Sequence, residues 1–561
     1  MPMASVTSSP AQTPSYLTFS GGGWNTHSLL AGLLAGSLDG LAAQKGSSSI
    51  DSLLGRISGI AANSGGSWFL SQLAYSAPFL AGLETTANRD QYNLKGYNGQ
   101  VAALFNGTTP QPPVWLKALL AQLPPTWRTN LATVQYLIGL AGAASDAGLT
   151  WRNFTDRFVY GPYGMLRDLG AKGLDAPRQR WAAGKDLVIS TAAQTTPAVL
   201  NSLGLLQNKI FSATPLRAAG APPQGQMTPL ALVSRGAATN SLHKTAATLL
   251  AGDVNLDLTN NKWFSSRPSL RTPVAARLAS RLSVVDATTA SSSAMAHLAT
   301  PQTFASSVAL KGLANTLASG LRGLSPLASM ANGALAMPKS LPSVASRASV
   351  EETMKAYSDA GMTRLADGGF CDNTAAAYMV RHIQSVQGTK TPFKLTLLMN
   401  SSIDPLTGIK LQVGPKPSDL SSFWVPSDVA NLFGSMGGPG ADGPLVTFDA
   451  IGGFKIPVAS AKVFDPSAWI GESPEWTYSK GPIDMAYYDL NVKTVANPTF
   501  GVVAGQSGQV RLFVANNKAS NAAPVLPSIL TQYADNYTTA RDAISHQGGF
   551  PFMQAALGLP L

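Results

Sequence analysis

The apolar positions in the first third of the chain alternate between short runs and longer, helix-like runs. Apolar runs at Tyr16–Ser20 and Arg56–Ala62 predict buried strands. A helix ending at Gln44, with Thr26 as its cap, is predicted to follow the first strand, and a helix over Gly66–Tyr75 follows the second. Because alternating short strands and helices are typical of a parallel sheet covered by helices, the sequence predicts an α/β fold with a parallel-centred sheet flanked by helices.

Further apolar runs extend this pattern through the rest of the chain. Strands are predicted at Asp186–Ser190, Ala231–Ser234, Phe393–Met399 and Gln509–Val514. The run Leu282–Asp286 leads into a predicted small-residue helix over Ala290–Met295, and a closing helix is predicted over Ser528–His546. Residues 1–15 are rich in Ser, Thr, Pro and Gln, and we expect them to form a disordered tail.

One segment carries a leucine stripe at helical spacing. From Val308 to Leu324, leucines fall at positions 310, 313, 317, 321 and 324. This spacing predicts an amphipathic helix that either faces the core or serves as a lid or membrane-contacting surface. Residues 300–350, like residues 76–180, are therefore interpreted as an insertion that contributes to a cap or lid.

The charge content narrows the classes of partner. Only 12% of the 561 residues are charged, and the net charge is +11 with Lys and Arg scattered along the chain. Basic runs and interleaved aromatic residues, which nucleic-acid binding would favour, are missing, so no nucleic-acid partner is expected. A positive net charge is compatible with attraction to an anionic membrane surface. With no signal peptide visible, we expect a cytoplasmic or peripheral membrane location, with signal-less export left open.

Cysteine and histidine usage argues against a metal centre. The chain has one cysteine, Cys371, and five histidines without ligand spacing. Intrachain disulfides and cysteine-based metal cages are therefore ruled out. We expect no metal and no cofactor.

Three glycine-bearing motifs carry the candidate chemistry. Ser64 lies directly after a predicted strand and before Gly65 and Gly66, which is typical of a nucleophilic serine on a sharp strand-to-helix turn. The run Gly21–Gly23 also follows a predicted strand, and Asp367 precedes Gly368 and Gly369 far downstream. For one site to form, these motifs must meet, which favours a single domain over residues 16–561.

The glycine run is suited to binding negative charge. A tetrahedral intermediate places charge on the carbonyl oxygen, and unobstructed backbone N–H groups stabilise it. Gly21, Gly22, Gly23 and Gly65 are the predicted donors of such an oxyanion hole. Either glycine run taken alone is also compatible with an ordinary loop or a phosphate cradle.

Taken together, these motifs resemble the patatin-like and cytosolic phospholipase A2 group of acyl hydrolases. The resemblance rests on Phe19–Gly23, Ser64–Trp68 and Asp367–Gly369 with Asn373 after it, and covers about Tyr16 to Asn373. It implies a Ser–Asp dyad in which Ser64 is the nucleophile and Asp367 acts as the base without histidine. It also implies a lipid substrate and a membrane or lipid-aggregate surface.

The chain departs from the resemblance where that family carries an arginine after the glycine run. Trp24 and Asn25 stand in that place and become candidate substrate contacts, and Arg364 is a candidate replacement for the phosphate-binding arginine. Phospholipid or lysophospholipid hydrolysis is the first expectation, and neutral-lipid or galactolipid hydrolysis the second. A catalytically inactive lipid-binding scaffold is the alternative from a different class. No calcium-dependent membrane-targeting domain is recognisable, so no calcium requirement is expected.

Other residues offer rival assignments. His27, His297 or His382 paired with the serine would give a Ser–His mechanism, although a lone histidine on a helix is more often structural. Cys371 is expected to be a small buried residue, and Ser67 a hydrogen-bonding residue at the start of a helix.

Overall fold

The computed structural model describes the chain in segments. The described residues are 13–46, 48–85, 100, 155–174, 176–194, 227–234, 255–257, 262–266, 276–279, 283–292, 362–401, 427–434, 446–449, 455–458, 461–498, 500–517 and 526–560.

Among the described residues, helices follow each strand in the first third of the chain, whereas several strands follow one another in later stretches. The strands are β1 (Ser15–Phe19), β2 (Ile57–Ala62), β3 (Asp186–Gln194), β4 (Met227–Ser234), β5 (Asn255–Asp257), β6 (Lys262–Ser266), β7 (Ala276–Ala279), β8 (Met362–Asp367), β9 (Phe393–Ser401), β10 (Val446–Asp449), β11 (Lys455–Val458), β12 (Trp476–Lys480), β13 (Ile483–Lys493) and β14 (Ser507–Asn517). The helices are α1 (Gly23–Lys45), α2 (Ile50–Leu54), α3 (Ser64–Tyr75), α4 (Ala77–Glu84), α5 (Met165–Leu169), α6 (Val284–Ser291), α7 (Gly369–Asp372), α8 (Ala376–Gln387), α9 (Ser427–Phe433), α10 (Leu526–Ser545) and α11 (Phe550–Ala556).

Most of the described strands form one mixed sheet with a parallel centre. Its order is β12-β13-β14-β9-β1-β2-β3-β8-β5-β6-β7, with β4 also paired to β3. The pairs β14–β9, β9–β1, β1–β2 and β2–β3 are parallel, and the pairs on either side of them are antiparallel. Helices flank this sheet, so the chain has an α/β fold, as the alternating pattern predicts.

The central strands are apolar because both of their faces are covered. Every residue of β1 is buried, and from Leu395 to Leu398 the four residues of β9 are at most 2% exposed. Parallel strands covered by helices on both faces usually have such continuous apolar runs. The buried aromatic ring of Phe19 packs edge-on against Phe69 of α3 and so joins the sheet to its helix layer.

Helix α1 lies against α10 at very short backbone distance. A Cβ atom added at Gly32 would lie 2.4 Å from the backbone oxygen of Tyr537, and one at Gly36 would lie 2.5 Å from that of Arg541. Four-residue spacing places both glycines on the same face of α1. The two helices can therefore pack closely only while this face carries no side chain.

Several predicted boundaries are wrong by a few residues. Helix α1 begins at Gly23, so Thr26 lies inside the helix and is not its cap. β1 begins at Ser15, inside the predicted tail, and Pro14 already accepts a hydrogen bond from the Lys394 amide. Helix α3 begins at Ser64 rather than Gly66. Helix α6 begins at Val284, well before the predicted Ala290, because Ser283 and Asp286 form a capping box at its start.

Several sequence predictions lie outside the described residues. They are the leucine stripe of 308–324, His297 and most of the two predicted insertions. Among the helices that the structure describes, none combines the length and apolar character needed to cross a membrane.

Substitution of Gly32 by Ala should lower the free energy of unfolding by about 1–2 kcal/mol, because overpacking outweighs the higher helix propensity of alanine. Gly184→Ala is the matched control, since an added Cβ there meets no described atom within 4 Å. The control should change the free energy of unfolding by less than about 0.5 kcal/mol. Denaturant unfolding of both variants measures the difference, and equal effects would contradict the close packing of α1 on α10.

Candidate active site

The ends of β2 and β8 meet along one edge of β3. Strand β4 pairs with β3 from residue 187 to 194, so it occupies the whole of the other edge. β2 runs parallel to β3 and ends with Ala62 opposite Ile189, whereas β8 runs antiparallel and ends with Asp367 opposite Thr191. The carboxyl ends of two strands therefore point at each other across Ser190, and the residues that follow them share one site.

Ser64 occupies a strained turn between β2 and α3. Its φ of 47° lies in the left-handed region, which a residue with a side chain seldom adopts. The Ser64 N–H donates to the Ser291 hydroxyl of α6 at 3.0 Å, and the Ser67 hydroxyl donates to the Ser64 carbonyl at 2.6 Å. Such strain persists only where neighbouring contacts hold it, and it is found mainly at functional sites.

Asp367 lies beside the Ser64 side chain, close enough for that side chain to lower its pKa. The Asp367 carboxylate accepts the Gly369 N–H at 2.8 Å, and the Asn63 side chain is a further neighbour that lowers its pKa. Burial raises the pKa of Asp367 from 3.8 to about 6, and these three neighbours oppose the rise. A carboxylate with this pKa is a stronger base than an exposed one and is still ionised at neutral pH.

Two glycines bring the turn of Ser64 against the glycine run. A Cβ atom added at Gly65 would lie 2.1 Å from the Gly23 carbonyl oxygen and 2.5 Å from the Gly23 nitrogen. Gly23 begins α1 and Gly65 is the second residue of α3, so helical partners are missing for both of their amides. Two helix starts thus lie side by side next to the Ser64 hydroxyl, which is the arrangement that an oxyanion hole requires.

The expectation for Gly21 needs correction. Its N–H donates to the carbonyl oxygen of Asn373 at 2.8 Å, so it anchors the glycine run and is not available to an oxyanion. Among the described contacts, the amides of Gly22, Gly23 and Gly65 make no such hydrogen bond. These three remain as candidate oxyanion donors.

The predicted substrate contacts differ in their surroundings. Trp24 is buried, with its ring 6.0 Å from that of Trp68 in an edge-on arrangement, so an apolar aromatic pair flanks the glycine run. Asn25 is half-buried and its carbonyl oxygen accepts the Ser28 hydroxyl. Arg364 lies within β8, opposite Asn255 of β5, and its side chain is outside the described residues.

The two described histidines of the rival mechanism have other partners. Both ring nitrogens of His27 are engaged, one with the Tyr533 hydroxyl at 2.8 Å and one with Gln72 at 2.7 Å. Burial lowers the pKa of His27 to about 4. His382 pairs with Asp186 at 2.8 Å. Neither histidine contacts Ser64 in these hydrogen bonds, so the described geometry favours the aspartate as the partner of the serine.

Cys371 is buried beside Asp372, and burial raises the pKa of its thiol well above the usual range. A thiol in this state is a poor nucleophile. Ser67 bonds to the backbone in the first turn of α3.

Sequence reasoning missed the side chains that hold the pair in place. Asn63, directly before Ser64, donates to Asn373 Oδ1 at 3.1 Å and accepts from the Ser190 hydroxyl at 2.9 Å. Ser291 holds the Ser64 amide. Asn63 stands in the serine motif and Ser291 in the predicted small-residue helix. Their hydrogen-bond partners are more than 100 residues away in the sequence, so the local sequence pattern could not predict these contacts.

In the described part of the chain, no group of His, Cys, Asp and Glu is arranged to hold a metal ion. No protein-family model matches this chain, and no curated protein is significantly similar to it. The geometry of the site is therefore the basis for assigning its chemistry: a strained serine, a buried carboxylate beside it, and backbone N–H groups at two adjacent helix starts.

Asp367→Asn should stabilise the fold above pH 6. Because the pKa of Asp367 is higher in the folded state, the folded chain binds more protons, and the free energy of unfolding falls as pH rises from about 4 to about 6. An uncharged asparagine avoids this loss, so the variant should gain up to about 3 kcal/mol at pH 8 and little at pH 4.

Denaturant unfolding at both pH values measures this gain. Asp168→Asn is the control, because the Asp168 side chain is 53% exposed. It should change the free energy of unfolding by less than about 1 kcal/mol at either pH. A gain for Asp367→Asn that is equal at pH 4 and pH 8 would contradict the burial argument.

Proposed function

We propose that this protein hydrolyses fatty-acyl ester bonds of lipids through an acyl-serine intermediate. The observation that carries the proposal is the placement of the buried carboxylate of Asp367 beside the Ser64 side chain, which lies on a strained turn. A serine hydroxyl is a weak nucleophile until a base removes its proton. Asp367 would be that base.

The reaction proceeds in two halves. As the Ser64 hydroxyl oxygen attacks the ester carbonyl carbon, its proton passes to the Asp367 carboxylate. The tetrahedral intermediate then collapses, the bond to the alcohol oxygen breaks, and the proton on Asp367 passes to the leaving alcohol. Water attacks the acyl-serine in the same way, with Asp367 taking its proton and returning it to Ser64 as the fatty acid leaves.

The charge that develops on the carbonyl oxygen is stabilised by backbone donors. The amides of Gly22, Gly23 and Gly65 lie at or near the starts of α1 and α3. Helix N-termini favour negative charge, and loss of one oxyanion donor typically costs on the order of a hundred- to a thousandfold in rate. The contact between Gly65 and Gly23 keeps these donors together.

Phospholipids and lysophospholipids are the first proposed substrates, and neutral lipids or galactolipids the second. The aromatic pair of Trp24 and Trp68 beside the glycine run suits an apolar acyl chain. Trp24 and Asn25 carry no positive charge, so phosphate recognition would depend on another residue, with Arg364 as the candidate. A lipid-aggregate surface is the proposed partner, and a mass-spectrometric screen over these four lipid classes identifies the substrate.

Ser64→Ala should abolish both ester hydrolysis and labelling by a fluorophosphonate probe, with a loss of at least about a thousandfold. Ser71→Ala is the matched control, since Ser71 is a buried serine on the same helix that bonds to Trp68 and Tyr160. The control should retain both signals. Activity of Ser64→Ala within about tenfold of wild type would place the nucleophile elsewhere, and a folded wild type without label would favour the inactive lipid-binding scaffold.

The acid limb of kcat/KM on a soluble ester should have its midpoint near pH 6, because Asp367 must be ionised to accept the proton. The variants His27→Asn and His382→Asn should show the same acid midpoint and retain substantial activity when the rate is expressed per folded molecule. If either histidine variant is as inactive as Ser64→Ala while folded, the Ser–Asp mechanism is wrong.

A further inference from the structure

A chain of polar side chains runs from the site to α9, a helix that no motif in the sequence connects to it. The Asn373 amide nitrogen donates to Asp428 Oδ2 at 2.8 Å, and Asn373 Oδ1 accepts from the Asn63 amide nitrogen at 3.1 Å. Asn63 in turn lies beside Asp367, since a Cβ atom built at Gly369 would lie 3.1 Å from both Asn63 Nδ2 and Asp367 Oδ1, and the Asn63 side chain lowers the pKa of Asp367. Four elements of the fold, α9, the loop after α7, the turn after β2 and the end of β8, are joined in this way.

We propose that Asp428 is a positioning residue for the Ser64–Asp367 pair. By accepting the Asn373 N–H, it sets which way the Asn373 amide points and thereby which atom of Asn63 faces Asp367. This inference rests on the proposed function for its effect on turnover. The hydrogen-bond chain itself is independent of any substrate.

An amide group has two ends with opposite hydrogen-bonding roles. Asn373 can present either its oxygen or its NH₂ group to Asn63, and the two orientations have nearly the same shape. A carboxylate can only accept, so Asp428 holds the NH₂ group toward itself and leaves the oxygen for Asn63. Asn63 must then direct its own NH₂ group at Asn373, and the same nitrogen lies next to Asp367 Oδ1.

Two glycines provide the space for this amide pair. A Cβ atom added at Gly369 would lie 3.0 Å from Asn373 Oδ1, 3.1 Å from Asn63 Nδ2 and 3.1 Å from Asp367 Oδ1. One added at Gly21 would lie 2.1 Å from Asn373 Oδ1 and 2.8 Å from Asn63 Nδ2. The amide pair thus lies between the first glycine of the run and the second glycine after Asp367, and both motifs depend on it.

Asp428 is itself held firmly. It is 7% exposed, and Val429, Leu432 and Phe433 of the same helix are fully buried. Phe433 packs against Phe464 with ring centroids 5.3 Å apart, and the Leu432 carbonyl accepts the Val463 amide at 2.9 Å. A carboxylate on an anchored helix can define the orientation of an amide on a loop.

The titratable neighbours of this chain act in other ways. Asp372 interacts electrostatically with Asp428, but its carboxylate accepts hydrogen bonds from Thr374 and Ala377 at the start of α8. Cys371 and Tyr378 face Asp367 and are both buried. The Tyr378 hydroxyl donates to the Thr191 carbonyl. Ser64 and Asn63 are the side chains that lower the pKa of Asp367, and of these two Asn63 is the one connected to Asp428 through Asn373.

The test compares Asp428→Asn, which keeps an oxygen acceptor, with Asp428→Leu, which removes it. Asp428→Leu frees Asn373 to turn, Asn63 turns with it, and an amide oxygen replaces the donor that faces Asp367. The pKa of Asp367 should then rise by about half a unit or more, because a donor to its charged form is lost. The acid limb of kcat/KM should move up with it, and kcat should fall about tenfold or more while KM changes less than about threefold. Asp428→Asn should stay within about threefold of wild type in kcat.

Because Asp428→Leu can fail to fold with a buried donor left unpaired, the double variant Asn373→Leu/Asp428→Leu replaces both partners by apolar groups. It should show the same shift of the acid limb. An unchanged limb and unchanged kcat in a folded leucine variant would overturn the proposal, as would equal losses in Asp428→Asn and Asp428→Leu. Asp489→Leu is the stability control, because it removes a carboxylate on β13 that is hydrogen-bonded to Arg511 of β14. It should leave the acid limb of kcat/KM in place.

A readout without substrate separates this inference from the proposed function. The Asp367 resonance in protein labelled with [13C]carboxyl aspartate is the one that disappears in Asp367→Asn, and its titration reports the pKa directly. A raised midpoint in Asp428→Leu supports the positioning role even if wild-type protein neither hydrolyses esters nor takes the fluorophosphonate label. An unchanged midpoint refutes the role even if wild type is fully active.

Discussion

The meeting of β2 and β8 on one edge of β3 is the constraint on which the site depends. A parallel strand places the residue that follows it at the carboxyl edge of the sheet, and β2 delivers Ser64 there. An antiparallel strand on the same edge arrives from the opposite direction, so its last residue, Asp367, reaches the same point. No flexible loop has to carry Asp367 to Ser64. The backbone ladder of β3 sets their separation, and for that reason the two side chains can lie side by side without a third residue between them.

Burial makes the Asp367 carboxylate a stronger base, and it also lowers the free energy of unfolding. The same desolvation that raises the pKa of Asp367 to about 6 makes its charged form unfavourable in the folded state. The Gly369 amide and the side chains of Asn63 and Ser64 offset part of this effect. Too many donors would return the carboxylate to the weak basicity of an exposed acid, and too few would leave it protonated at neutral pH. The number of hydrogen bonds on Asp367 is therefore as relevant to the proposed chemistry as its contact with the serine.

The local sequence pattern was sufficient to predict the central strands and helices and the candidate site residues at their ends. The short apolar runs of β1, β2 and β9 and the glycines beside Ser64 and Asp367 are properties of a few adjacent residues, and the parallel centre of the sheet follows from their alternation. Strands β5–β7 were not predicted, since β5 has three residues and β6 includes Lys262, Ser265 and Ser266. The roles of Gly21, Asn63 and Asp428 depend on Asn373, which is 55 residues from Asp428 and more than 300 from the other two, and become visible only in the folded chain.

The glycines of the site have three different physical tasks, although the sequence presents them as similar runs. Gly22 and Gly23 adopt positive φ, so they shape the turn into α1. Gly65 has no side chain because the Gly23 backbone occupies that space. Gly21 and Gly369 leave room for the amide pair of Asn63 and Asn373. An alanine at Gly65 would separate two oxyanion donors, whereas an alanine at Gly369 would displace the amides that orient the base. A motif written as three consecutive glycines thus combines a backbone conformation, a helix contact and a cavity for side chains, each with its own consequence for the proposed reaction.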